Sequence, residues 1–252
     1  LNGSSRYRSG RSSRSGRGPS RPRLTAALLI CAILACLQLP LAGIADIAST
    51  SGRLLQLWPQ TALWAVVGLM WAAGTQQVYR WLRRSSSRAD VFEGRVPIPP
   101  LSEDHRHVSA ALWFGVGAVL CAVILPPMLV GQWTLQPVQL WQGLYGTYGM
   151  AGLIAAAGWL IHHCGFSLVV ALALAAVQAL AEAIAPWRWM AKVPVGGLVI
   201  GLVGAVFQAI PGGWAAAVTA LIACTLLGAV HLLTGRRLRW TAPATAIVLI
   251  FL

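Results

Sequence analysis

The sequence predicts an all-α fold, a polytopic transmembrane helix bundle of about seven spans followed by a truncated eighth. Of the 252 residues, 57% are hydrophobic and only 10% are charged, whereas soluble domains carry about 25% charged residues. The chain therefore has too few charges to cover a water-facing surface, and a bilayer is the solvent that fits it. Apolar runs of about 20 residues also recur along the chain, which is the length that one bilayer crossing needs.

The first 23 residues (LNGSSRYRSGRSSRSGRGPSRPR) are predicted to form a disordered, basic cytoplasmic tail, because their Gly, Ser, Pro and Arg offer no apolar face to bury. An uncharged apolar run follows at residues 24–45. This run is long for a signal peptide, whose apolar part has about 7–15 residues. We therefore predict a retained first helix, with a cleaved signal peptide as the alternative.

A second span at residues 57–78 completes a predicted transmembrane hairpin, residues 24–78. Four arginines between positions 80 and 88 follow it, which is a cytoplasmic signal. Residues 79–108 are then a hydrophilic cytoplasmic loop, which three prolines between positions 97 and 100 keep extended.

The remaining residues, 109–252, form the main transmembrane bundle in this prediction. Its first span covers residues 109–131, and we expect Pro126 and Pro127 to kink that helix or to end it early. Residues 132–143 (QWTLQPVQLWQG) are polar and aromatic without any charge. That composition suits an interfacial loop or a short surface helix.

Further along, residues 144–186 contain a single charged residue, Glu182. Their length suits two helices, and His162-His163-Cys164-Gly165 is the predicted break. Residues 193–213 and 215–234 are the next two spans, separated by Pro211-Gly212-Gly213. The last apolar run, residues 241–252, is shorter than the roughly 20 residues of a crossing, so we expect the eighth helix to be truncated.

The net charge of +13 is concentrated beside the apolar runs, with seven of the 19 Lys and Arg in residues 1–23 and six in residues 80–106. The positive-inside rule explains this pattern and places the N-terminus in the cytoplasm, most simply at the cytoplasmic (inner) membrane, with no nucleic-acid partner. Seven spans, however, would leave Lys192 and Arg236 outside. An even number of crossings between residues 109 and 186 would place every basic cluster inside.

Glu182 is the first candidate for a functional residue, because a carboxylate inside an apolar run is costly and marks function by default. It lies five residues before Trp187, so the alternative is an interfacial side chain that pairs with Arg188. Gln178 lies one helical turn earlier on the same face.

Two histidines are weaker candidates. His231 lies inside a span and suits a hydrogen bond or a proton relay. His163 follows His162 directly, so on a helix the two rings point in different directions and cannot form a metal pair. The five cysteines form no CxxC pair and are expected to be apolar fillers. No metal and no cofactor is predicted.

A small-residue seam formed by Gly197, Gly201 and Gly204 predicts close helix packing, either within the bundle or with another copy of the chain.

Residues 207–252 are similar to the closing helices of the CAAX-protease-like intramembrane family, through their small-residue helix and the LLTGRRLRW turn. The family's paired-glutamate motif, EExxxR, is not matched, because Ala181 precedes Glu182 and Pro186 stands in the place of the Arg. Its FxxxH motif fails at Phe207, where Pro211 replaces the His.

Three functions remain open on the sequence alone. A transport or permease-type component is favoured, because Gly and Pro interrupt the apolar runs. The alternatives are an intramembrane enzyme that uses Glu182 with His231 or His163, and a non-catalytic assembly subunit. The expected partners are the lipid bilayer and other membrane subunits, including further copies of the chain.

Overall fold

The computed structural model describes residues 18–37, 57–86, 91–92, 105–131, 135–185, 187 and 189–252. In this part of the chain the regular structure is entirely helical, as the composition predicts. Seven α-helices follow one another, with one short 3₁₀ turn, Gly149–Ala151, between the fourth and the fifth. The helices are α1 Arg21–Cys36, α2 Leu57–Arg84, α3 His105–Val130, α4 Gln136–Tyr148, α5 Gly152–Ile184, α6 Val195–Leu233 and α7 Leu238–Phe251.

Three helical stretches are long and apolar enough to cross a membrane: His107–Val130, Pro137–Ile184 and Gly213–Leu233. Two shorter apolar helices, Val195–Ile210 and Leu238–Phe251, accompany them. By length and composition alone this is fewer than the seven predicted spans. Two of the four missing spans are α1, which has only 16 residues and begins with two arginines, and α2, which ends in a polar, basic stretch. The other two are lost because residues 144–186 belong to one apolar stretch instead of two, and because Val195–Ile210 is short.

Several helices begin or end at residues other than those predicted from the sequence. Helix α1 begins at Arg21, inside the predicted tail, with Pro22 in its first turn, where proline is well tolerated. Residues 1–17 and most of the predicted loop lie outside the described part. Helix α2 runs past position 78 to Arg84, and α3 already begins at His105, so the connection between them is shorter than predicted.

The predicted break at residues 162–165 is wrong, because α5 continues through all four of them to Ile184. The chain leaves the helix earlier, at Gly149, whose φ of 58° suits glycine. Gly165 serves packing instead of a turn: a methyl group in place of its hydrogen would lie 2.1 Å from the carbonyl oxygen of Gly68 on α2. Glycine here allows two helix backbones to touch.

The two proline-containing segments behave differently from each other. Helix α3 continues through Pro126 and Pro127 and ends at Val130, where Gly131 takes a φ of 74°. Helix α6 is interrupted where the sequence predicts it, at Gly213, whose φ of 68° and ψ of −165° are not helical.

The two halves of α6 form an antiparallel hairpin. Gly197 lies against Gly228, and Gly201 lies further along against Leu221, so residue numbers rise on one side and fall on the other. A methyl group on Gly197 would lie 2.4 Å from the Cys224 carbonyl oxygen. The partner of the small-residue seam is therefore the second half of the same helix.

Contacts between helices also fix the directions of the others. Trp71 of α2 donates a hydrogen bond of 2.8 Å from Nε1 to the carbonyl of Leu34, and Trp81 lies under the guanidinium of Arg23, so α1 and α2 are antiparallel. Helices α2 and α5 are parallel, because Gly158 lies against Thr61 and Gly165 against Gly68.

The remaining helices complete one arrangement. Gly115 and Gly117 of α3 lie nearest to Val230 and Leu226, so α3 is antiparallel to the second half of α6. Arg21 of α1 donates to the carbonyl of Ala183 at the end of α5. Seven helix ends therefore lie together on one side of the bundle. They are the start of α1, the end of α2, the start of α3, the end of α5, both ends of α6 and the start of α7.

We call this side of the bundle the basic end, since it carries most of the described cations. Between Arg84 and Lys192 the chain runs away from this end along α3 and returns along α5, which is an even number of passages. The sequence prediction counts residues 144–186 as two spans. That count is what places Lys192 and Arg236 on the side opposite to the other basic clusters. The described cations at the basic end include Arg21, Arg23, Arg80, Arg83, Arg84, Lys192, Arg236, Arg237 and Arg239.

Candidate functional site

Gln178 is the centre of a polar network near the end of α5. Its side chain is 1% exposed, and its amide Oε1 accepts the backbone N–H of Gly196 at 3.0 Å. Its Nε2 lies within hydrogen-bond distance of the carbonyls of Val193 and Met190, at 3.3 and 3.4 Å. The first N–H groups of a helix have no partner inside that helix. Gln178 therefore caps α6 and ties α5 to the segment that precedes it.

Glu182 lies one turn further along α5 and joins the same network. Its Oε1 accepts a hydrogen bond of 2.9 Å from Gln178 Nε2, as their spacing on one helix face predicts. The same oxygen lies 2.9 Å from Arg236 Nη2 in a salt bridge. The carboxylate is thus paired with the turn after α6. Arg188, the partner considered from the sequence, lies outside the described residues.

Arg236 enters the bundle from an unusual turn. Gly235 and Arg236 have φ values of 71° and 62°, a left-handed pair that ends α6. For a residue other than glycine this conformation is costly and persists only where its surroundings hold it. Here the Arg236 N–H donates to the His231 carbonyl at 2.8 Å, and Nη2 donates to the Ala191 carbonyl at 3.1 Å. The turn places a guanidinium that is 3% exposed among the helices.

His231 belongs to the same region through its backbone. Its ring is fully buried, and Nδ1 lies 2.8 Å from the hydroxyl oxygen of Thr241 on α7. The Thr241 hydroxyl also donates to the Arg237 carbonyl at 3.3 Å. His231 therefore connects α6 to α7 and, through the turn that Arg236 closes, lies beside the network.

His163 lies far from this network. It is 19 residues before Glu182 on the same helix, which corresponds to about 28 Å of helix rise. Its Nδ1 lies 3.1 Å from the Trp159 carbonyl, and its ring is 3.9 Å from the Trp159 ring. His162 packs against Trp71 with 4.7 Å between ring centroids. The structure brings Glu182 close to the turn of His231 and keeps His163 away from it.

Gly196 shows how tightly the network is enclosed. A methyl group at this position would lie 2.3 Å from the Leu174 carbonyl oxygen and 3.1 Å from Gln178 Cβ. Only glycine lets the start of α6 approach α5 closely enough for Gln178 to accept the backbone N–H.

Arg236 is not predicted from the sequence as the partner of Glu182, because the two residues are 54 positions apart and Arg236 lies in a basic turn expected at the surface. One signal was available: Gly235 directly before Arg236 predicts a left-handed helix end, which turns the following chain back over the helix.

The described residues contain no group of three or more His, Cys, Asp or Glu side chains placed to hold a metal ion. The five cysteines are free thiols. Comparison of the chain with protein-family models, with curated proteins and with solved structures gives no match.

Proposed function

We propose that this chain is a multi-pass integral membrane protein of the transport or permease type, and that the network of Gln178, Glu182 and Arg236 is its polar site. The observation that carries the proposal is the salt bridge between Glu182 and Arg236 among apolar helices. Ionisable groups inside a membrane protein are costly, pair with one another and mark ion pathways or proton relays. The pair also lies at the basic end, where α6 begins and ends.

The proposed orientation places the basic end in the cytoplasm. The positive-inside rule counts Lys and Arg near the ends of spans, and the described cations between Arg21 and Arg239 gather on one side of the bundle. In this proposal α1, α2, α3, α5, both halves of α6 and α7 cross the membrane, and α4 lies at the opposite surface.

A second candidate, a non-catalytic assembly subunit, is favoured by a different observation. Both polar atoms of the Gln178 amide and Nη2 of Arg236 bind backbone groups of residues 190–196. These bonds hold three chain segments together, as a purely structural clamp would.

Flux measurement distinguishes the two functions. The purified chain is reconstituted into liposomes with a pH-sensitive dye inside, and ion gradients are applied. We expect proton-linked flux from the unmodified protein and about a tenfold loss in Glu182→Gln, because a neutral amide cannot take part in charge coupling. Glu103→Gln, which changes a carboxylate in the hydrophilic loop that the sequence predicts, is the matched control and should keep its flux.

Each outcome of the flux measurement supports a different function. An unmodified protein without flux above empty liposomes contradicts transport and leaves the assembly subunit. Flux that survives Glu182→Gln contradicts the assignment of the site. Size-exclusion profiles of each variant show whether a loss reflects misfolding.

A further inference from the structure

Arg236 uses only part of its hydrogen-bonding capacity. A guanidinium carries five N–H donors, two on Nη1, two on Nη2 and one on Nε. Nη2 binds Glu182 and Ala191, whereas Nη1 and Nε have no hydrogen-bond partner in the described part of the chain. These atoms are buried, and a buried charged group without acceptors is costly. Three N–H donors are thus buried at the basic end without an acceptor among the described residues.

Local charge indicates what kind of acceptor these donors suit. Glu182 balances one positive charge, but Arg237 is adjacent in sequence and Lys192 follows Ala191, whose carbonyl binds Arg236. Neither of these two cations has a carboxylate partner among the described residues, so this part of the chain carries excess positive charge. Excess positive charge favours an anionic acceptor over a neutral one. The guanidinium matches oxyanions such as phosphate and carboxylate in geometry.

The position of the Arg236 guanidinium indicates which kind of anion is available to it. Trp187 and Trp189 precede the segment that binds Arg236, and they are 61% and 52% exposed. Trp240 on α7 is also exposed. Exposed tryptophans at helix ends lie at the level of lipid headgroups. Phosphate groups occur at this level, either in lipids or free in the adjoining water.

The structure assigns to Arg236 a binding site for a phosphate-class oxyanion, held by Nε and Nη1, whose affinity is lowered by the neighbouring Glu182 carboxylate. This proposal concerns anion binding alone and does not depend on whether the chain transports ions. It also gives Arg236 a role that a structural clamp alone does not need, since the clamp uses Nη2.

Two binding measurements on the purified chain test the assignment. In the first, the melting temperature is measured in detergent as inorganic phosphate replaces chloride at constant ionic strength. In the second, native mass spectrometry counts phosphatidylglycerol molecules retained by the protein, with phosphatidylcholine as the reference. A response in the first measurement identifies a free anion, and a response only in the second identifies a lipid headgroup.

Three variants should change the affinity for the anion in different ways. We expect Arg236→Gln to weaken the responding interaction about tenfold or more, because charge-assisted hydrogen bonds are lost. Arg239→Gln removes an equal charge from an exposed position and should keep at least half of the response. Glu182→Gln should strengthen binding, because it removes a repelling carboxylate.

Three results would overturn the site: an unmodified protein that responds in neither measurement, an Arg239→Gln loss equal to that of Arg236→Gln, or weaker binding in Glu182→Gln. If Arg236→Gln fails to fold, Arg236→Lys takes its place. Lysine keeps the charge without the guanidinium fork, so it should bind at least a few-fold more weakly. Unchanged binding in Arg236→Lys would also contradict the assignment.

Discussion

Arg236 Nη2 lies 2.9 Å from Glu182 Oε1, and this one contact joins the end of α5 to the turn between α6 and α7. The carboxylate oxygen is shared with Gln178, which also caps the start of α6. Three segments that are distant in sequence therefore depend on one pair of opposite charges. Substitution of either residue should consequently destabilise the packing of all three segments at the basic end.

The first prediction concerns the energetics of this pair. Glu182→Leu or Arg236→Met alone should lower the free energy of unfolding by about 3–5 kcal/mol, because each leaves its partner charge buried without a counter-ion. The double variant should recover most of that loss, since two apolar side chains replace both charges. A double-mutant cycle measured by denaturant unfolding in detergent checks this. Additive losses would mean that the two side chains do not interact.

The second prediction concerns the contact between α2 and α5. Gly165→Ala should destabilise the protein by about 1–3 kcal/mol, because the added methyl group would meet the backbone of Gly68 and overpack the interface. Gly146→Ala is the matched control in α4, where no atom lies within 4 Å of the new methyl group. The control should be neutral or slightly stabilising, since alanine favours helix by up to about 1 kcal/mol. Equal effects in thermal unfolding would show that α2 and α5 are not in contact.

The third prediction concerns the interruption of α6. Gly213 has a backbone conformation that is essentially restricted to glycine, with open space around it. Gly213→Ala should therefore lose about 1–3 kcal/mol through backbone strain alone. Gly204→Ala, whose new methyl group would be in ordinary contact 3.8 Å from Ala220 Cβ, should change stability by less than about 1 kcal/mol. An unaffected Gly213→Ala protein would contradict a hairpin at this position.

The fourth prediction concerns the side of the membrane on which each helix end lies. Single cysteines placed at Arg84 and Arg239 in a cysteine-free background should react with an impermeant maleimide from the same side, because both lie at the basic end. A cysteine at Gly143 in α4 should react from the opposite side. Intact cells and inside-out vesicles give the two measurements. Labelling of positions 84 and 239 from opposite sides would overturn the common basic end.

Local signals in the sequence predict some of the helix breaks but not others. Pro211-Gly212-Gly213 combines a residue that lacks an N–H with one that tolerates left-handed backbone, so the interruption at Gly213 follows from the residues themselves. Gly165 has the same freedom, yet α5 continues through it, and the glycine accommodates Gly68 of another helix. A glycine in an apolar run predicts either outcome, and only the neighbouring helix decides between them.

The sequence by itself predicted the all-helical class, because long apolar runs in a chain poor in charge suit helices, which satisfy their backbone groups internally. It also singled out Glu182, since a carboxylate in an apolar run is conspicuous. Tertiary structure alone decided that Arg236 is its partner and that the described basic segments share one end. The reason is that helix periodicity reports which face a residue occupies, whereas pairing across 54 residues depends on how whole helices are oriented and packed.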